Sequence, residues 1–296
     1  MNPSQRRQRF RAILAGTRCV HPASVHDAIS ARIAEDLGFE LGMLGGSVAA
    51  LAVLGAPDLA LLTLTEFADQ SHRICRAGGL PVLVDADHGF GNALSVTRTV
   101  QELEAAGVAG LTIEDTELPQ AYGAGAVARL TSVEEGVGKM RAALAGRQDP
   151  SLVILGRTSA PGLSDLDDTL ARVRAYSATG VDGIFLVGVR SREQLGAIAA
   201  VTELPIVLGG VPSELNDLTY LASVGVRVCL QGHLPFAAGV AAIHATLSAL
   251  RQGVQPSAIS GVASAALMKQ LTRDADYARA SREFLGGDAE SGRAAK

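Results

Sequence analysis

Eight short apolar runs, each followed by a longer stretch of different periodicity, constrain this chain more than any other feature. The runs are residues 18–21, 41–44, 81–85, 110–114, 152–157, 183–187, 205–208 and 226–230. They are almost continuously hydrophobic, not alternating, which suits parallel strands covered on both faces. Between them, 24–37, 95–106, 166–179, 192–201, 213–223 and 235–251 read as helices; Val96, Val100 and Leu103 stand at i, i+4 and i+7. Gly38, Gly107, Gly180 and Gly225 each separate a helical pattern from the next run, at the position where a left-handed helix cap is wanted. Eight alternations predict an α/β fold, a (β/α)8 TIM-type barrel with extra C-terminal helices, one of them over 263–273. It is expected as a single domain over 1–296 with flexible termini at 1–10 and 287–296. A doubly wound open sheet is the alternative, but no G-x-G-x-x-G fingerprint follows the first run.

Charge and cysteine usage narrow the partners. The net charge of -4 comes from interspersed acids and bases, so there is no basic nucleic-acid surface. Cys19, Cys75 and Cys229 have neither disulfide-framework nor zinc-ligand spacing, and Cys19 and Cys229 read as small core residues. Residues 1–11 lack the apolar segment of a secretory signal, and no stretch reads as about 18 uninterrupted apolar residues. The expectation is a cytoplasmic protein acting on a small molecule, with no nucleic-acid or membrane partner.

In such a barrel the residues just beyond the strand C-termini form the active site. That rule selects Gly45, Gly46 and Ser47, then Asp85 and Asp87, Glu114 and Asp115, Arg157, Gly209 and Gly210, and His233. The segment Val82-Leu83-Val84-Asp85-Ala86-Asp87-His88-Gly89 delivers two acids to a strand end, and Ile113-Glu114-Asp115 repeats the pattern. Buried acids need a cation or a full set of donors. Mg²⁺ uses one or two protein carboxylates and keeps its waters, so Asp85 is expected as the direct ligand, with Asp87 and Glu114 holding metal-bound water. The competing reading is a set of salt bridges or helix caps, and Asp115 suits it. Arg157 would either clamp a substrate carboxylate or pair with an acid. Gly45-Gly46-Ser47 would bring backbone N–H groups and a hydroxyl to an anionic oxygen. His233 would donate to a carboxylate or move a proton. His88 reads as a loop residue. There is no nucleophile elbow and no strand-end lysine. Metal, carboxylate clamp and oxyanion donors together suit an α-keto acid, whose enolate a metal stabilises.

At these residues the chain resembles the isocitrate lyase/phosphoenolpyruvate mutase superfamily. The matching elements are Gly45-Gly46-Ser47, Asp85-Ala86-Asp87-His88-Gly89-Phe90-Gly91-Asn92, Ile113-Glu114-Asp115, Gly156-Arg157-Thr158 and His233, with Pro57-Asp58 matching a further acid near the metal. The resemblance spans about residues 10–285 and is closest to the oxaloacetate decarboxylase branch, through Arg18-Cys19-Val20, Gly91-Asn92-Ala93-Leu94 and Gln231-Gly232-His233. It implies a Mg²⁺-dependent barrel, with Mn²⁺ an alternative, whose last helix is swapped between subunits of a homotetramer, a dimer of dimers. It implies that Asp85 binds Mg²⁺, that Asp58, Asp87 and Glu114 act through water, and that Ser47, Arg157 and His233 contact substrate. The superfamily's lyases carry a cysteine-bearing loop after the fourth strand; here residues 118–126 contain no cysteine, lysine or histidine. Ser159 stands where many relatives carry Asp or Asn. The resemblance thus implies decarboxylation of oxaloacetate to pyruvate and CO₂. The alternatives are another lyase or hydrolase acting on a related keto acid or 2-methylisocitrate, or a non-catalytic keto-acid-binding barrel.

Overall fold

Eight parallel strands pair in chain order in a computed structural model that describes residues 1–123 and 128–286. They are β1 (Ala23–Ser24), β2 (Gly42–Leu44), β3 (Val82–Asp85), β4 (Gly110–Glu114), β5 (Val153–Thr158), β6 (Gly183–Leu186), β7 (Ile206–Leu208) and β8 (Val226–Cys229). Val20 bridges Val228 in parallel and exchanges hydrogen bonds with Arg227 O and Cys229 N, so β8 meets the start of the chain and the ring closes. The open sheet is thereby excluded. The first run ends short of the first strand: Val20 serves β8, while Ala23 and Ser24 pair with Gly42 and Met43 of β2.

Helices α1 (Pro3–Ala15), α2 (Ala28–Asp36), α3 (Gly46–Leu54), α4 (Leu64–Cys75), α5 (Ala93–Ala106), α6 (Val133–Gly146), α7 (Ala160–Leu163), α8 (Leu166–Ser177), α9 (Arg192–Ala199) and α10 (Leu218–Ser223) belong to the unit Met1–Phe236. The expected helix over 213–223 splits into a 3₁₀ turn, Ser213–Leu215, and α10, because Asp217 caps α10 by accepting from Thr219 and Tyr220 N–H. Residues 1–10, expected to be flexible, instead lie largely within α1. Asn2 and Gln5 form a capping box, Phe10 is fully buried, and buried Arg7 bonds Val108 O, Glu104 O and Asp149. That arginine-rich segment carried no apolar period, so its anchors were not visible as a helix face. The expected flexible end at 287–296 lies outside the described residues.

Alternation along the strands divides the core. Met43, Leu83, Val153, Leu155, Phe185, Val207 and Val228 form one cluster with Phe10 and Leu14 of α1. Leu44, Val82, Val84, Leu111, Ile113, Ile154, Ile184 and Leu186 form the other, with residues of the surrounding helices such as Val96, Val100 and Leu103. Gly110 admits Phe10 to the inner cluster: a Cβ there would stand 2.7 Å from the ring.

The second unit is Ala237–Lys296, entered along α11 (Leu234–Arg251) and holding α12 (Ala265–Leu271) and α13 (Asp274–Leu285). Helix α11 has the length and the mean hydropathy, 1.2, of a minimal membrane span. It is nevertheless interrupted by His244, Thr246, Ser248 and Arg251, and Val240, Ile243, Leu247 and Leu250 lie exposed at helical spacing.

Candidate active site

The alternation that points Leu83 and Leu155 inward carries Asp85 and Arg157 to the next level of the same face. Strand register does the rest. Asp85 stands opposite Thr112, and Glu114 stands opposite Arg157. Thr112 Oγ1 donates to Asp85 Oδ1 at 2.8 Å, and the Asp87 N–H reaches the same oxygen at 3.3 Å. Arg157 Nη1 donates to Asp85 Oδ2, and its Nε lies 3.2 Å from Glu114 Oε2. The guanidinium lies 5.5 Å from the centroid of the Phe185 ring. Of the two roles open to Arg157, the ion pair with the acids is the one present in this structure.

The acids strain against one another. Burial, then Asp85 and Glu114, push the Asp87 carboxyl well above the usual carboxylate range. Burial raises Glu114, with Asp85 adding to the shift and Arg157 opposing it. Asp58 keeps solvent access on the loop after α3, yet desolvation and then the Asp85 charge raise it, while Arg157 and His233 lower it. Four carboxyl groups facing one guanidinium call for a further cation, and their hard oxygens fit a divalent metal. Among the described residues no group of three or more such side chains is close enough to hold a metal unaided.

The opposite rim is built from β1, β2 and the turn after β8. His233 is half-buried and its Nδ1 lies 2.8 Å from Ser24 Oγ. Burial depresses its pKa, against the pull of Asp85 and Asp58. Its other nitrogen lies over Gly45, where a Cβ would stand 2.6 Å from Nε2. A Cβ on Gly46 would stand 2.5 Å from Asp87 Oδ1. The two glycines therefore let the turn from β2 into α3 pass between the histidine and the acids. Gly45 is the cap of α3, no side chain caps that helix, and Ser47 lies in its first turn, so N–H donors are left there for an anion.

Structure thus joins Asp85, Asp87, Glu114 and Arg157, and couples Asp58 and His233 to them by charge. It separates Asp115, which sits one residue on and faces the helices. That carboxylate is fully buried and accepts from Thr158 Oγ1 at 2.9 Å, Arg172 Nη1 at 2.9 Å and Tyr176 OH at 2.6 Å. It is a structural group, as its alternative reading had it. His88 is also buried away from the acids, with its pKa lowered to about 4 by burial and by Lys139. Ser24, Thr112 and Phe185 were not anticipated. Thr112 could have been found by pairing the third and fourth runs in register; Ser24 had no local signal.

Residues 10–251 match the family model described as phosphoenolpyruvate phosphomutase. A relative described as oxaloacetate decarboxylase, from Bradyrhizobium sp. (strain ORS 278), is 62% identical over 281 residues, covering 95% of this chain and 97% of its own. Among solved structures, an oxaloacetate acetylhydrolase bound to the inhibitor 3,3-difluorooxalacetate is 28% identical with a TM-score of 0.84, covering 98% of this chain and 100% of its own. A phosphonopyruvate hydrolase complexed with oxalate and Mg²⁺ is 26% identical with a TM-score of 0.82, covering 97% of this chain and 100% of its own.

Proposed function

The chain belongs to the phosphoenolpyruvate phosphomutase family of the isocitrate lyase superfamily, and from that premise we propose that it is a carboxy-lyase converting oxaloacetate to pyruvate and CO₂. The observation that carries the reading is the close layer Asp85–Thr112–Glu114–Arg157, in a chain 62% identical to an oxaloacetate decarboxylase. Asp85 would hold Mg²⁺ directly, with Asp58, Asp87 and Glu114 acting through water; Mn²⁺ suits the same oxygens. When bound, such a cation supplies Lewis-acid stabilisation of the enolate left when CO₂ departs.

The chain's own residues do the positioning. Arg157 is held by two acids and an aromatic face, which leaves Nη2 with no hydrogen bond among the described residues and able to take a substrate carboxylate oxygen. If Ser24 donates to His233 Nδ1, the neutral ring presents Nε2–H beside Gly45 as a second carboxylate donor. Ser47 and the first N–H groups of α3 face the developing anion. Breaking the C–C bond to CO₂ needs no protein acid, so a β4 loop without cysteine or lysine suffices, and solvent protonates the enolate.

Oxaloacetate, 2-methylisocitrate and phosphonopyruvate should be compared in one assay, following pyruvate, oxalate, glyoxylate and phosphate. Pyruvate from oxaloacetate, abolished by Asp85→Ala and reversibly by EDTA, is expected. Oxalate as the product would mean hydrolysis instead, and binding without turnover would mean a non-catalytic barrel. Full activity in Asp85→Ala would reject the metal role.

For the assembly we infer a homotetramer, a dimer of dimers in which the single barrel domain of each chain is completed by α11 of a neighbour. The exposed Val240, Ile243, Leu247 and Leu250 support this. Three free, buried thiols support a reducing compartment, the cytoplasm.

A further inference from the structure

The loop that carries Asp87 is held in a conformation the backbone does not favour. Asp87, Gly89, Phe90 and Gly91 all have positive φ, at 47°, 81°, 57° and 149°. Two of the four are not glycine, and such residues persist only where their surroundings over-determine them. Four consecutive carbonyls of the loop are tied, each to a different group. Ala86 O accepts from Gly89 N–H at 2.9 Å, and Asp87 O from Glu114 N–H at 2.9 Å. His88 O accepts from Lys139 Nζ at 3.2 Å, and Gly89 O from Thr99 Oγ1 at 3.0 Å. The last two donors come from behind the barrel, on α6 and α5. Lys139 is 3% exposed and Thr99 is fully buried. No other hydrogen bond of the Lys139 ammonium is present among the described residues, so its directional contact is with His88 O, while Glu135, Glu114 and Asp115 favour its charge from further off.

We propose that Lys139 and Thr99 are positioning residues for the Asp87 loop, setting the Asp87 carboxyl against Gly46 and so shaping the cation-binding acids from outside the site. The inference rests on the metal reading given above for Asp85, Asp87 and Glu114. It extends that reading to two side chains that touch neither substrate nor metal.

Charge and position predict opposite results, which makes the proposal testable. Lys139→Met removes a positive charge that acts on Glu114, so a purely electrostatic role would tighten Mn²⁺ binding. Loss of position would weaken it, by about tenfold or more as for other supporting contacts of metal sites. Thr99→Val changes no charge and almost no volume, so it should weaken Mn²⁺ binding in the same direction by a smaller factor, with Thr99→Ser restoring it. Mn²⁺ alone, titrated by electron paramagnetic resonance, is the probe. Amide exchange in the metal-free protein gives an independent readout: the Gly89 and Glu114 amides should exchange faster in Lys139→Met and Thr99→Val, with the β7 amides unchanged. Mn²⁺ binding that is unchanged or tighter, with unchanged exchange at Gly89 and Glu114, overturns the proposal. Should Lys139→Met not fold, the Thr99→Val and Thr99→Ser pair decides alone. A wild-type protein that leaves oxaloacetate intact rejects the decarboxylase reading, and the exchange data still decide the positioning.

Discussion

A single methyl group at Gly45 would meet the His233 ring at 2.6 Å, closer than any real Cβ contact. Gly45→Ala should therefore displace the imidazole from Ser24 and lower kcat/KM for oxaloacetate by an order of magnitude or more, while Tm changes little because the mouth is open to adjustment. An unchanged kcat/KM would remove His233 from the site. Asp87 makes the opposite trade. Its carboxyl pKa is raised in the folded state, so the stability it contributes is present below the unfolded carboxylate pKa and lost as pH rises through the folded value. Asp87→Asn should raise the Tm of the metal-free protein at pH 7–8 and weaken Mn²⁺ binding, both read from melting curves with and without the ion. His88 works from the other side. Its pKa falls from 6.5 to about 4, so its contribution is complete above the unfolded value and is lost as pH falls through that window. His88→Leu should lose less stability than the wild type between pH 6.5 and 4 in parallel denaturant titrations. Asp85, Glu114 and Arg157 were legible because each ends an apolar run. The Ser24–His233 contact spans 209 positions and no local pattern encodes it.

At the scale of elements, one buried carboxylate fastens α8 to the catalytic edge. Asp115 takes hydrogen bonds from Tyr176 and Arg172 of α8 and from Thr158 at the end of β5, and Arg172 also bonds Thr131 O and Asp168. The alternation that turns Glu114 into the barrel turns Asp115 out to meet the helix, so adjacent acids share a strand and divide the work. Tyr176→Phe deletes one neutral donor and should cost about 1 kcal/mol. Asp115→Ala removes the shared acceptor of three buried donors and should cost about 3–5 kcal/mol, measured by urea unfolding. Costs under 1 kcal/mol for both would mean that α8 is held by its apolar contacts alone. Strands β2–β8 and helices α2, α5, α8, α9, α11 and α12 were readable from periodicity, whereas α4, α6, α7 and α13 were not picked out. Helix α3 was not, because Gly46-Ser47-Val48-Ala49-Ala50-Leu51-Ala52-Val53-Leu54 is apolar on nearly every side. Helix α1 was not either, since buried Arg6 and Arg7 occupy places where a pattern search expects aliphatic residues.

At the scale of the molecule, the exposed stripe on α11 is the surface on which the proposed assembly depends. Ile243→Asp with Leu247→Asp should convert the assembly to smaller species in sedimentation velocity and lower specific activity with it; an unchanged sedimentation coefficient would reject the α11 interface. The barrel count was open to reading because eight runs could be numbered, whereas the assembly was open only by resemblance, since an exposed apolar stripe does not name its partner. Ring closure has a consequence for synthesis. The acids and Arg157 are complete once a nascent chain has passed β5, but His233 reaches Ser24 only after β8 has joined Val20. The two rims of the proposed site therefore meet only when the last strand to emerge closes the ring, so β8 acts as a clasp between the first strand and His233.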